Sequence, residues 1–332
     1  MEKKILKTIR YFSFFDYPPS LEEIYTFLGK KATKKKVEET LKSLERKDKI
    51  KKEKDLNNVI RYTLYVTRNN TVGEYSTRRK ASNFKSQISK LKTEKYNEKY
   101  LFSQKKLQNW RFRLYIKILS FFPQIKLVGL SGSLAMMSAD KEDDIDLFII
   151  TAKNRLFTGR FIAVFLAKIL GIHRGYNRRF TLHVPRYTNK VCLNLFFDES
   201  NLMVPEFKRN EYVAHEVLQM KPIINKDNTY ERFLKVNSWV FEMFPNAKEN
   251  AKFKIQISKS KFKMQNFINN FRFLIVILRF AFCILNFLAI AVENMLKNLQ
   301  MSFINRHRTT EFITKTQLWF HPEDFYNKLN IN

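Results

Sequence analysis

Residues 129–150 read GLSGSLAMMSADKEDDIDLFII and carry the pattern that sets the fold class. A turn of small residues, Gly132-Ser133, follows an apolar run, and an acidic loop then ends in Asp144 and Asp146. Apolar residues resume directly afterwards, which predicts a strand, a tight turn and a second strand. The chain has only 7 glycines, so a glycine at this turn indicates a backbone conformation that other residues avoid.

The two aspartates predict a cation site. Side chains alternate along a strand, so Asp144 and Asp146 share one face while Ile145 and Leu147 face a core. Two adjacent carboxylates repel each other unless a cation neutralises them, and oxygen ligands of this kind suit Mg²⁺. The turn also leaves free backbone N–H groups where a helix begins near Leu134, and these favour a phosphate. A phosphate-binding turn beside metal-binding acids suits a metal-bound nucleoside triphosphate.

The stretch SGSLAMMSADKEDDIDLFII resembles the signature of the nucleotidyltransferase superfamily, which includes DNA polymerase beta and the small minimal nucleotidyltransferases. The resemblance covers residues 125–200. It implies a mixed αβ domain that transfers a nucleoside monophosphate from an NTP, with ATP the expected donor, to an acceptor hydroxyl and releases pyrophosphate. It also implies that Gly132 and Ser133 bind the triphosphate and that Asp144 and Asp146 hold Mg²⁺ for catalysis.

The resemblance does not settle which residue of this chain supplies a third carboxylate. Members of the superfamily carry it on a later strand, which here is KVCLNLFFDES, residues 190–200. Cys192, Asn194, Phe196 and Asp198 are predicted to share one face, and Asn194 stands where an acid is expected. An amide can ligate a metal but cannot act as a base, and Asp198 lies about 13 Å further along the strand. Three readings remain: Asp198 reaches the site through a bulge, Asn194 suffices with water or substrate as the base, or the domain binds nucleotide without turnover.

The N-terminal residues 1–67 are predicted to form three helices and a hairpin. A capping box joins Ser20 and Glu23 ahead of the second helix, and Thr33 caps the third. This order resembles a winged helix-turn-helix, with the third helix for recognition and the hairpin as the wing. Its lysines either contact nucleic-acid phosphates or form a solvated face, and the pattern fits both. The Lys-rich residues 68–108 are predicted to form a helical linker.

Composition bounds the partners and the compartment. The chain has 332 residues, with 61 Lys and Arg against 31 Asp and Glu, for a formal charge of +30. Such a surface attracts nucleic acid, nucleotides or anionic lipid, although an AT-rich genome also enriches lysine. Cys192 and Cys283 lie in apolar runs, which indicates reduced thiols in a cytoplasmic protein and excludes a disulfide framework. The N-terminus lacks the pattern of a signal peptide.

The C-terminal residues 205–332 are predicted to be a helical region. Residues 205–224 and 230–244 read as helices. The run FLIVILRFAFCILNFLAIAV, residues 273–292, is long enough to span a bilayer, but Arg279 near its centre is costly in lipid. This run is therefore either a buried helix, or a membrane anchor or interfacial helix.

Together these features predict an α+β fold. The resemblance implies a mixed-sheet nucleotidyltransferase domain at 109–204, preceded by a winged-helix-like domain and followed by the helical region. The leading hypothesis is a Mg²⁺-dependent nucleotidyltransferase with an unknown acceptor. The alternatives are a catalytically degenerate nucleotide-binding or nucleic-acid-binding regulator, and a membrane-associated protein anchored through 273–292.

Overall fold

The computed structural model describes residues 1–65, 78–174, 189–248, 289–306 and 310–320, with side chains except those of 78–91 and 289–290. The chain forms two compact units. The first comprises Met1–Phe102 and the described residues from Trp239, and the second comprises Ser103–Ser238 and the described residues between 254 and 330. Helices and a mixed sheet occur together, as the predicted α+β class requires.

The first unit begins with three helices and a hairpin, in the predicted order. They are α1 (Glu2–Ser13), α2 (Leu21–Thr26), α3 (Lys34–Arg46), β1 (Ile50–Lys54) and β2 (Ile60–Leu64). The predicted capping box of Ser20 and Glu23 is confirmed, and the Thr33 side chain caps α3. Because each helix buries one apolar stripe, the stripes share a core that includes Ile9 and Leu41.

A buried arginine fixes the hairpin to the helices of this unit. The Arg61 guanidinium donates at 2.8 Å to each of three partners, the Asp55 and Glu23 carboxylates and the Tyr96 hydroxyl. Tyr96 belongs to α4 (Arg78–Gln108), the helix expected within residues 68–108. Each partner satisfies a donor that would otherwise lie unpaired away from water.

The second unit is built on a six-stranded mixed sheet. Its strands are β3 (Ile125–Leu130), β4 (Ile145–Thr151), β5 (Val191–Asp198), β6 (Lys221–Asn225), β7 (Phe312–Ile313) and β8 (Gln317–Trp319). Their order in the sheet is β6-β3-β4-β5-β8-β7, and β4 and β5 are the parallel pair. Its described helices include α5 (Trp110–Phe121), α6 (Gly132–Ala135), α7 (Leu156–Ile169), α8 (Glu211–Gln219), α9 (Thr229–Val236) and α11 (Ala289–Asn305). The helix α10 (Val240–Met243) belongs to the first unit. A parallel pair needs a crossover, and the connection through α7 supplies it.

Helices pack on both faces of this sheet. On one face, Ile145 and Leu147 enter a core that α5, α7 and α11 share. On the other face, the ring of Phe233 from α9 lies 5.2 Å from that of Phe148 and 6.1 Å from that of Phe197, measured between ring centroids. The predicted alternation along β4 is therefore confirmed.

The helical region predicted at 205–332 contains strands as well as helices. β6 follows α8 inside the stretch 205–224, and β7 and β8 add two strands later in the chain. Pro222 cannot continue a helix, and the residues around it pair with β3 at the sheet edge instead. The stretch 230–244 forms two short helices rather than one, and the buried Asn237 lies between them.

Two predicted elements lie outside the described residues. One is the short strand that the sequence RFTLHVP, residues 179–185, predicts. The other is most of the apolar run 273–292, of which only the last four residues are described, at the start of α11. Among the residues that the structure describes, no helix is both long and apolar enough to cross a membrane.

Candidate active site

Gly132 occupies a turn that another residue would strain. The Ser131 N–H donates to the Asp146 carbonyl at 3.1 Å, which brings the end of β3 against the start of β4. Gly132 then adopts a φ of +60°, in the left-handed region that favours glycine. A Cβ on this residue would lie 2.7 Å from the Asp146 Oδ2 atom. Both the backbone and the neighbouring carboxylate therefore require a glycine here.

Three polar side chains converge beside this turn. The parallel pairing of β4 and β5 sets Asp146 opposite Cys192, and Asp144 directly precedes β4. One ligand atom from each of Asp144, Asp146 and Cys192 lies within 4.8 Å of the others. Asp144 and Asp146 are partly exposed, whereas Cys192 is buried. The structure thus brings the two predicted aspartates together and adds a thiol that was not predicted as part of the site.

The charges of this cluster suit a divalent cation. Burial first, and the Asp144 charge second, raise the pKa of Asp146 to about 7. A cation would relieve that repulsion, and two carboxylates that leave coordination positions for water and phosphate suit Mg²⁺. Burial also raises the pKa of the Cys192 thiol, and Mg²⁺ prefers oxygen ligands to sulfur. The residues present fit Mg²⁺ held by Asp144 and Asp146.

Arg174 places a positive charge on the same cluster. Its guanidinium forms an ion pair with Asp144, and Nη1 lies 3.5 Å from the Cys192 sulfur. The sequence analysis did not single out Arg174, because an arginine after a helix has no distinctive pattern.

The loop between the turn and β4 is tied to Ser133. The Ser133 hydroxyl donates to Asp143 Oδ2 at 2.9 Å, and the Asp140 N–H donates to the same oxygen at 2.9 Å. The buried Lys106 ammonium donates to the Lys141 and Asp143 carbonyls at 3.0 and 2.5 Å. The predicted phosphate ligand Ser133 therefore has an internal acceptor, which a triphosphate would have to replace.

The two candidates for a third ligand on β5 lie apart from each other. A register shift between Asp146 and Phe148 leaves Asn194 in the irregular part of the pairing with β4, where it is half-buried. Asp198 lies opposite Thr151 at the far end of β5 and is buried. Its carboxylate accepts from the Arg155 N–H at 3.2 Å, and from the N–H and hydroxyl of Ser200 at 2.9 and 2.6 Å. The structure does not bring Asp198 to the Asp144–Asp146 cluster.

A third carboxylate does reach the site, from α8. Glu216 accepts from the Gly132 N–H at 3.2 Å and from the Tyr212 hydroxyl one helical turn earlier. Burial raises the pKa of Glu216, and its charge disfavours ionisation of Asp146. The Gly132 N–H, which was predicted to be open to phosphate, donates to this carboxylate instead. The four-residue spacing of Tyr212 and Glu216 was a signal that they share a helix face, but not that they reach the turn.

The lysines of α3 and of its C-terminal cap, the candidate nucleic-acid surface, are partly neutralised by the chain itself. Lys34, Lys42 and Lys47 form ion pairs with Glu22, Glu38 and Glu2. Exposed pairs of this kind are weak, so phosphates can compete for these lysines. Nucleic-acid binding by the first unit stays a prediction.

Comparison of the chain with protein-family models, with curated proteins and with solved structures found no match. The resemblance to nucleotidyltransferases therefore rests on the Gly-Ser turn and the Asp-x-Asp pair themselves. The function is proposed below from their geometry.

Proposed function

We propose that this chain is a nucleotidyltransferase that moves a nucleoside monophosphate from a Mg²⁺-bound NTP, with ATP the first donor to test, to an acceptor hydroxyl. The observation that carries the proposal is the approach of the Gly132 turn to the Asp146 carboxylate. A turn too tight for a side chain lies against one of two paired acids, so both halves of the sequence pattern meet in space. That juxtaposition supports one site for metal and phosphate together.

Each group around the turn has its own role in binding the metal and the nucleotide. Asp144 and Asp146 hold Mg²⁺, which when bound supplies charge stabilisation and orientation at the α-phosphate. Gly132 lets the Asp146 carboxylate lie against the turn because it carries no side chain. The Ser133 hydroxyl leaves Asp143 and donates to the triphosphate, since a hydroxyl rotates to suit its partner.

Glu216 is the proposed proton acceptor. In the transfer, the acceptor oxygen bonds to the α-phosphorus, the bond from that phosphorus to the bridging oxygen of pyrophosphate breaks, and the hydroxyl proton passes to Glu216 directly or through a water. Asn194 cannot take this proton, and Asp198 is held at the far end of β5. Glu216 also accepts from the Gly132 N–H, which holds its carboxylate beside the turn.

A catalytically degenerate regulator that binds nucleotide is the second candidate. Within β5, which the structure describes in full, Cys192 is the residue opposite Asp146, and the acid of this strand, Asp198, lies at its far end. A regulator of this kind would bind the metal-nucleotide complex without consuming it. Binding and turnover therefore have to be measured separately.

Calorimetric titration with ATP, with and without Mg²⁺, tests the site. The variants Asp144→Asn and Asp146→Asn keep the side-chain volume and remove one charge each. We expect Mg²⁺-dependent binding by the wild type and a loss of at least about tenfold in either variant, the lower end of what even an outer-shell partner of a metal contributes. Glu142→Gln is the matched control, because it removes an exposed acid from the same loop.

The outcomes separate the candidates. ATP affinity that does not depend on Mg²⁺ would overturn the proposed site. An equal loss of ATP affinity in Glu142→Gln would also overturn it. The protein is then incubated with α-labelled ATP and with pools of protein, RNA and small-molecule acceptors, and the transfer of label to each pool is measured. Metal-dependent binding without label transfer to any pool would favour the regulator.

A further inference from the structure

Arg174 is delivered to the acidic cluster by backbone pairing. His173 forms a parallel bridge with Val191, and the Arg174 N–H donates to the Val191 carbonyl at 3.1 Å. This pairing sets Arg174 beside the strand residue that precedes Cys192. From there one guanidinium nitrogen contacts both the Asp144 carboxylate and the Cys192 sulfur, two of the three converging side chains.

We propose that Arg174 is an exchangeable counter-ion: it neutralises Asp144 in the nucleotide-free protein, yields that place to the metal, and then binds the phosphates that arrive with the metal. The inference rests on the proposed function, because it assigns a role at the same site.

Charge and exposure favour the exchange. A guanidinium and a divalent cation cannot both neutralise Asp144 fully, because like charges a few ångströms apart repel each other. The Arg174 side chain is 42% exposed and that of Asp144 only 17%. The arginine can therefore swing towards solvent while the carboxylate stays beside Asp146.

The exchange makes metal and polyphosphate depend on each other. A metal that arrives alone displaces Arg174 and leaves the guanidinium without its carboxylate. A polyphosphate that arrives alone is repelled by the two acids of the cluster, because no metal lies between the negative charges. When both arrive together, the planar guanidinium moves to phosphate oxygens, whose geometry it matches. The ligand class is thus a metal-bound polyphosphate, and the two components bind cooperatively.

Binding of Mn²⁺ alone, measured by loss of the free-ion EPR signal, tests the first step. Arg174→Gln should bind Mn²⁺ about fivefold or more tightly than the wild type, at the lower end of ordinary couplings between sites. The same variant should bind ATP in the presence of Mn²⁺ about fivefold or more weakly. The opposite signs matter, because structural damage would weaken both affinities.

Arg232→Gln is the matched control. Arg232 is 44% exposed and pairs with Glu199 in the same unit. Its substitution therefore removes one positive charge from the unit without touching the cluster. This variant should leave both affinities unchanged. Arg174→Lys keeps the charge and should bind Mn²⁺ as the wild type does.

The outcomes distinguish this inference from the proposed function. Unchanged Mn²⁺ affinity in a folded Arg174→Gln variant overturns the exchange even if ATP binds as proposed. If the glutamine variant is unstable, Arg174→Ala serves for the same test. Tighter Mn²⁺ binding with no nucleotide binding by any protein supports the metal step, and it overturns both the phosphate step and the nucleotidyltransferase proposal. If neither the wild type nor Arg174→Gln binds Mn²⁺, both proposals are overturned.

Discussion

The Asp146 Oδ2 atom lies 2.7 Å from the point where a Cβ on Gly132 would stand. The N–H of the same glycine donates to Glu216 at 3.2 Å. One residue without a side chain thus separates an acid on a strand from an acid on a helix. Any side chain placed there would disturb both carboxylates.

Gly132→Ala is predicted to destabilise the second unit and to displace Asp146. A positive φ costs a residue other than glycine about 1–3 kcal/mol, and the close approach to Asp146 adds to this cost. We expect the free energy of unfolding, measured by urea denaturation, to fall by about 2 kcal/mol or more. Mg²⁺-dependent ATP binding should be lost.

Gly171→Ala separates the effect of backbone strain at a positive φ from the effect of a contact with Asp146. Gly171 has a φ of +66°, but the nearest atom to its added Cβ would be an Arg111 nitrogen at 3.5 Å. This variant should lose stability and keep ATP binding. If Gly132→Ala also kept ATP binding, the contact with Asp146 would not matter for the site.

Glu216→Gln is predicted to separate binding from turnover. Glutamine can still accept from the Gly132 N–H but cannot take a proton from the acceptor. We expect label transfer from ATP to slow about 100-fold or more, within the range that a general base contributes, while calorimetry shows ATP binding retained. Glu206→Gln removes an exposed acid from the same unit and should change neither quantity. Normal turnover in Glu216→Gln would exclude Glu216 as the base.

Much of the fold was predictable because its signals are local. The turn at Gly132, the alternation of Ile145 and Leu147 against Asp146, and the capping box at Ser20 each lie within a few residues of chain. Local propensity, turn chemistry and hydrophobic pattern all point to the same structure at such positions. The two aspartates that meet at the site belong to this class.

The rest of the site could not be predicted from spacing. The register shift after Asp146 changes which residues of β5 lie opposite β4, and no residue pattern marked it. Glu216 and Arg174 reach the cluster because α8 and the residue pairing after α7 bring them there. The short strand β6 contains Pro222 and acquires its structure from pairing with β3. All these features depend on contacts between distant parts of the chain.

Asp198→Asn is predicted to weaken the fold and spare the site. Asp198 accepts three hydrogen bonds, from the Arg155 N–H and from both donors of Ser200. An amide turns one acceptor into a donor, so one of these partners loses its bond, at a cost of about 1–3 kcal/mol. Thermal unfolding should report that loss, and calorimetry should report wild-type affinity for ATP with Mg²⁺. A selective loss of ATP binding would instead return Asp198 to the site.

Acid sensitivity of the first unit is predicted to depend on Asp55. Burial raises the pKa of Asp55, but hydrogen bonds from Arg61 and from the Val59 and Asn57 N–H groups outweigh burial and lower it. The pKa of Asp55 in the folded protein therefore lies below its value in the unfolded chain, about 3.9. Ionised Asp55 stabilises the fold at neutral pH, and this contribution is lost as the pH falls below about 3.9 and through the lower folded value.

Asp55→Asn tests this linkage. The variant should lose about 1.5–3 kcal/mol at pH 7, the range for a hydrogen bond to a charged group, and its stability should fall less steeply in acid. Amide hydrogen exchange of β2 in the full chain, measured from pH 7 down through the folded pKa of Asp55, reports both effects because β2 contains Arg61. Asp48→Asn changes an exposed aspartate of the same unit and should follow the wild type. Parallel pH profiles for the wild type and Asp55→Asn would mean that the ionised pair with Arg61 does not stabilise this unit.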